Sequence, residues 1–198
     1  QNLLTLHGLY YSTHGGWWEW APPCNHFRLP YWKHMQVFMD CVQRLSYLLS
    51  QGVHRCDVAM LYPVAPMEAG LGGNESVQAA FEAGEQLYRA GIDFDYMDFE
   101  SLDRCTIEDR QLCVSGERFR VLVLPALRAV RWSTLQKALE FQRAGGIVLA
   151  LGTLPEASDR AGRDDPELNA VVQELFGANQ SRAASAAELI ARVSTAFP

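Results

Sequence analysis

Charge is scarce at the start of this sequence. Only five acidic or basic side chains (Glu19, Arg28, Lys33, Asp40, Arg44) fall in the first 53 residues, against thirty-five in the remaining 145. A water-facing surface cannot be built from so few charges, so this leader is expected to lie buried against something. A basic excess is lacking too. The formal net charge of −6 leaves no electrostatic footprint for nucleic acid or an anionic membrane, and neither is expected as a partner. Long apolar runs are missing. Residues 121–127 and 147–151 fall far short of the roughly 20 residues that span a bilayer. No basic-then-apolar leader opens the chain, which begins at Gln1 rather than Met. That beginning suggests a segment of a longer polypeptide. Paired cysteines are absent as well: Cys24, Cys41, Cys56, Cys105 and Cys113 are odd in number and form no CxxC. Free, mostly buried thiols are the expectation.

What remains is globular. The chain has 198 residues and is 48% hydrophobic, enough for one large domain or a domain plus a piece of another. Residues 3–11 read as an apolar strand. They lead into a loop, 14–30, rich in Gly, Trp and Pro. A helix is expected over 31–51, with Tyr31, Met35, Phe38, Val42, Leu45 and Leu49 as its buried stripe.

From residue 53 the pattern becomes strand, helix, strand. Strands are expected at 56–62, 94–97, 121–124 and 147–151, with a hairpin around Ser115-Gly116. A long loop is expected at 63–73. Asn74 then caps a helix whose apolar face is Val77, Ala80, Phe81, Gly84, Leu87 and Tyr88. Ser133 with Gln136 reads as a capping box, and further helices fit 166–176 and 187–193. Wholly apolar strands such as 147–151 belong inside sheets covered on both faces. The fold class is therefore α/β, with a doubly wound, mostly parallel, flavodoxin-like sheet over residues 54–180. Residues 181–198 form a tail whose packing the pattern leaves open.

Reactive side chains concentrate in the leader: His14, Trp17, Trp18, Glu19, Trp20, Cys24, His26 and His34. Three readings compete. Aromatic faces beside His and Glu suit a sugar subsite. The spacing H-x9-C-x-H-x7-H offers metal ligands but matches no familiar zinc pattern. The third reading is an aromatic loop packed over the end of a core. In the α/β part, Gly70, Gly72 and Gly73 precede a helix without forming a phosphate-binding motif. The run Asp93, Asp95, Asp98 is either a cation site or a solvated edge. Neither Pro125-Ala126-Leu127 nor Gly152-Thr153-Leu154 places a Cys or Ser at a strand-to-helix turn, so no nucleophile elbow is expected. No catalytic residue, cofactor site or metal site is assigned.

The stretches GIDFDYMDFESL (91–102) and FRVLVLPALRAVRWSTLQKALEFQRAGGIVLALGTLP (119–155) resemble the domain that follows the catalytic barrel in several glycoside hydrolases. They are similar to the β-galactosidase trimerisation domain, which has a class I glutamine amidotransferase-like fold without that chemistry. In the leader, HGLYYSTHGG (7–16), APP (21–23), PYW (30–32) and RLSYLLSQG (44–52) resemble the end of the barrel in family 106 α-L-rhamnosidases. The resemblance implies that residues 1–53 are the last strand and helix of a TIM-type (β/α)8 barrel, with the loop between them at the rim where such active sites lie. It favours His14, Trp17, Trp18 and Glu19 as substrate-binding residues. It puts the catalytic carboxylates upstream of Gln1 and leaves this piece inactive alone. The partners it implies are a carbohydrate, met through the parent barrel, and the barrel itself, met intramolecularly. Export of the parent enzyme fits a polysaccharide substrate. The alternatives are an oligomerisation module and a small-molecule or cofactor binder using loop 63–74.

Overall fold

The apolar segments form the centre of a sheet. In the computed structural model, which describes residues 3–6, 25, 27 and 29–196, strands β1 (Val58–Leu61), β6 (Val121–Pro125) and β8 (Ile147–Leu151) lie side by side. Strands β2 (Phe94–Met97) and β11 (Arg182–Ala183) add the edges, in the order β11-β8-β6-β1-β2. Every pairing in this sheet is parallel.

Because side chains alternate along a strand, the same apolar strands serve two cores. Ala59, Leu61, Leu122, Leu124, Val148 and Ala150 pack on one face with Leu135 and Phe141 of α5 (Trp132–Arg143) and Leu168 and Phe176 of α6 (Pro166–Phe176). Val58, Met60, Val121, Val123, Leu149 and Leu151 pack on the other. There they meet Ala80, Ala83 and Leu87 of α3 (Gly73–Arg89) and Leu189 and Val193 of α7 (Ala186–Ala196). The fold is the doubly wound, mostly parallel α/β class expected.

Two small sheets decorate this core. One is antiparallel: β3 (Thr106–Glu108), β4 (Gln111–Val114) and β5 (Glu117–Phe119). Ser115 and Gly116 both take positive φ, 51° and 86°, the conformation of a type I′ hairpin turn. The other joins β7 (Ala129–Val130), β9 (Ala157–Ser158) and β10 (Gly162–Arg163). Helix α4 (Phe99–Arg104) begins at Asp98, whose carboxylate accepts from the Ser101 N–H.

Several local expectations are corrected. The loop at 63–73 contains a helix, α2 (Val64–Glu68). Helix α3 is entered through Gly72 in the left-handed conformation, not through an Asn74 cap, because a residue at φ +70° turns the chain sharply into Gly73. Its buried side is built from Ser76, Ala80, Ala83, Gly84 and Leu87, while Phe81 and Tyr88 are exposed. Small residues allow a close approach: a Cβ on Gly84 would stand 2.6 Å from Phe94 Cζ. Helix α5 starts at Trp132 instead of behind a Ser133 cap. Its first N–H donates to Asp159 Oδ1 at 2.7 Å, and Ser133 Oγ turns to Asp103. The packing left open for the tail is supplied by β11, which extends the sheet edge, and α7, which covers a face.

The chain divides into two compact units, Gln1–Val53 and His54–Pro198. In the first, a 3-10 turn at Trp32–His34 leads into α1 (Met35–Leu49), followed by Gly52 at φ +94°. Residues 3–6 carry no strand pairing, and the rest of the expected strand, 7–11, lies outside the described residues. The expected stripe is not buried. Phe38, Leu45 and Leu49 are each about half exposed, and Val37, Tyr47 and Leu48 are more open still. Among the described residues, no helix is long and apolar enough to cross a membrane.

Candidate functional site

The four residues expected to meet a sugar, His14, Trp17, Trp18 and Glu19, lie outside the described residues, as do Cys24 and His26. What the first unit does describe is a concavity of about 560 Å³ lined by Leu6, Asn25, Trp32, Lys33, Met35 and Met39. An exposed aromatic face beside amide and amine groups is the chemistry of a carbohydrate surface. Trp32 stands just before α1 because Pro30 and Tyr31 turn the chain into the 3-10 segment. The sequence reading used PYW as a landmark and did not count Trp32 among the site residues.

In the second unit, strand order reverses direction between β1 and β6, which is where open α/β sheets usually bind ligands. Here that crevice is filled. The space lined by Leu61, Tyr62, Phe99, Leu127, Arg131 and Thr134 is about 10 Å³, room for one water at most. Thr134 Oγ1 and Arg131 Nε are buried beside it without a hydrogen-bond partner.

Strand β6 ends in a tight turn at Ala126, which takes φ +46°. A non-glycine residue held in this region after a central strand has the backbone form of a nucleophile elbow. The side chain it presents is a methyl group. The Ala126 carbonyl accepts from Ser76 Oγ at 2.5 Å, and its N–H donates to the Leu151 carbonyl at 2.6 Å. The turn is thus locked to α3 and β8.

Two buried thiols are equally unreactive. Burial pushes Cys56 up to about 12 and Cys105 up to about 11, so neither is a thiolate near neutral pH. Cys41, Cys56, Cys105 and Cys113 are all free.

The glycine-rich entry to α3 supplies its own anion. Glu75 sits in the first turn and accepts from Thr153 Oγ1 at 2.5 Å, and a Cβ on Gly72 would come within 2.9 Å of Arg128 Cδ. A depression of about 480 Å³ nearby is lined by Glu68, Val130, Arg131, Asp159 and Arg163. Its charges are satisfied internally: Arg131 pairs with Glu68 at 3.2 Å and Arg163 with Glu156 at 3.0 Å. A third depression, about 440 Å³, lies at the β11 edge beside Arg182, Glu188 and Arg192.

The aspartate run divides. Asp98 caps α4, and the Ser101 hydrogen bonds hold its carboxyl below the usual range. Asp93 and Asp95 turn to His54, 39 and 41 residues earlier, a grouping that the sequence reading missed. The hydrogen bond with Asp93 raises the His54 imidazole above its ordinary value. Partial burial opposes this, and Glu117 and Asp95 reinforce it.

Comparison with known proteins places this geometry in context. The family model for alpha-L-rhamnosidase of glycoside hydrolase family 106 matches residues 25–196. A curated protein of Formosa agariphila, provisionally named a beta-glucuronidase, is 26% identical over 129 residues, covering 65% of this chain and 10% of that protein. The solved structure of Gan42B, a GH42 beta-galactosidase, superposes with a TM-score of 0.55 at 14% identity, over 76% of this chain and 21% of that one. The chain thus spans about a tenth of that curated relative and a fifth of that solved chain.

Proposed function

The chain belongs to the alpha-L-rhamnosidase family, glycoside hydrolase family 106, and from that premise we propose that it is the non-catalytic C-terminal part of a rhamnoside-cleaving enzyme. In this reading, residues 1–53 are the last strand and helix of the catalytic barrel, and the α/β unit is an accessory domain. The carboxylates that cleave the glycosidic bond lie in the preceding barrel strands.

The observation that carries the proposal is the exposure of α1. Val37, Phe38, Leu45, Tyr47, Leu48 and Leu49 are all exposed, over more than half of the helix circumference. Each large apolar side chain left in water forgoes roughly 1.5–3 kcal/mol of burial, so a helix of this kind is built to be covered over most of its surface. An outer barrel helix is covered by its two neighbours and by the strands beneath. The methyl group at Ala126 supports the accessory role of the second unit, since an elbow without a nucleophile positions no chemistry. His14, Trp17, Trp18 and Glu19 would then lie at the barrel's C-terminal rim and bind the sugar, with Trp32 close to them in sequence.

Amide hydrogen exchange tests the covered helix. In the parent polypeptide, the amides of Met35–Leu49 are expected to exchange as slowly as those of β6. In the 198-residue chain they should exchange far faster. Equal protection in both would overturn the assignment of α1 to a barrel.

A second reading, an interface for other subunits, is favoured by one feature. Tyr96 on the edge strand β2 meets Tyr62, Phe81 and Phe94 edge-on, with ring centres 5.9, 5.8 and 5.2 Å away. Tyr62 and Phe81 are about half exposed, so an aromatic patch lies beside a strand edge that no other described strand pairs. Light scattering on the parent enzyme separates a monomer from an oligomer.

A further inference from the structure

We propose that His54, Asp95 and Glu117 form a binding site for a divalent transition-metal ion of the zinc class, with Asp93 as the positioning residue that orients the imidazole. The three ligating residues come from separate elements of the second unit. His54 precedes β1, Asp95 lies on β2 opposite Ala59, and Glu117 opens β5 of the hairpin. Their donor atoms all lie within 4.8 Å of one another.

Two distances carry the geometry. Asp95 Oδ2 and Glu117 Oε2 are each 3.3 Å from His54 Nδ1. Bonds of about 2.0–2.1 Å to a tetrahedral ion place neighbouring donors roughly 3.4 Å apart, so both contacts already have the length of a coordination edge. The remaining edge is no longer than 4.8 Å, and the partial exposure of all three side chains leaves them room to rotate and shorten it. That exposure leaves the remaining position to water.

The proton arrangement points the same way. His54 Nε2 lies 2.9 Å from Asp93 Oδ2, a carboxylate that can only accept, so the Nε2 proton is donated there. An ion bound between Nδ1 and the two carboxylate oxygens would take the place of a second ring proton there, with Nδ1 supplying its lone pair to the metal. A carboxylate holding the far nitrogen of a ligating histidine is also the usual outer support of such sites, fixing the tautomer and raising ligand basicity. One imidazole nitrogen and two carboxylates suit zinc, cobalt or nickel ions, whereas magnesium and calcium favour oxygen-only surroundings. Without an ion, a second proton on His54 answers the same charge.

Calorimetric titration of the EDTA-dialysed 198-residue chain separates ion from proton. Zinc chloride is expected to bind at one ion per chain with a dissociation constant below about 100 µM, while magnesium chloride gives no saturable heat. His54→Ala should abolish that binding. Glu117→Gln, which keeps size and hairpin, should weaken it at least about tenfold, and Asp93→Asn should weaken it roughly 10–100-fold though it removes no ligand. Cobalt chloride supplies a second readout: visible absorption bands of a low-coordinate site should appear with the wild-type chain and be lost in His54→Ala. No saturable zinc binding would overturn the proposal. So would a zinc site that survives both His54→Ala and Glu117→Gln, since the ligands would then lie elsewhere. Neither result bears on the rhamnosidase reading, whose tests use the barrel.

Discussion

Ser76 Oγ donates to the carbonyl of Ala126 at 2.5 Å, tying the first turn of α3 to the left-handed residue that ends β6. Both residues are buried. Ser76→Ala removes the donor and leaves a buried carbonyl unsatisfied, at a cost of about 1–3 kcal/mol. The urea midpoint should fall with an unchanged m-value. An unmoved midpoint would mean that the hydroxyl does not hold the turn.

Gly146 closes α5 and lies against Phe141. A Cβ at Gly146 would stand 2.1 Å from Phe141 Cε2, and the ring is fully buried and has nowhere to go. Gly146→Ala should therefore destabilise by about 1–3 kcal/mol through overpacking, and more if the ring cannot tilt. Thermal unfolding checks this. A variant within about 0.5 kcal/mol of the parent would show that the contact relaxes freely.

Asp165 caps α6, accepting from the Glu167 N–H at 3.0 Å while Arg160 Nε donates to its other oxygen at 2.8 Å. The Arg160 hydrogen bond holds the carboxyl below its usual range. A lowered acid contributes stability above its unfolded pKa of about 3.9 and loses it as pH falls through the folded value. Asp165→Asn keeps an acceptor but removes the charge. Its stability deficit in urea should be full at neutral pH and shrink below about pH 4. A deficit that stays constant down to about pH 2 would contradict the charge pairing.

The elements that could be read from sequence are those whose cause is local. Val58–Leu61, Val121–Pro125 and Ile147–Leu151 are uninterrupted apolar runs, and Ser115-Gly116 is a turn by composition; each appears where expected. Helix starts were misread wherever the partner is distant. The amide that Ser133 was expected to serve is replaced in importance by Trp132, whose N–H finds Asp159 27 residues away. The grouping of His54 with Asp93 and Glu117 spans 39 and 63 residues, a separation no spacing pattern reports. Helix α1 was legible as a helix, yet its stripe was read as buried because periodicity alone does not say whether the covering surface belongs to the same chain.

Trp17 and Trp18 are among the residues proposed to contact the sugar, and Trp32 follows them in the leader. In the parent enzyme, Trp17→Ala combined with Trp18→Ala should raise KM for a rhamnoside at least about tenfold, since lost stacking removes binding shared by ground and transition states. Unchanged KM and kcat would remove both residues from the subsite.

Turnover of an aryl α-L-rhamnoside tests the central claim most directly. The 198-residue chain, purified and folded as judged by cooperative urea unfolding, should release no product above the uncatalysed rate, and the parent polypeptide containing the full barrel should hydrolyse the same compound. Turnover by the 198-residue chain alone would contradict the account, because the catalytic groups would then lie within residues 1–198.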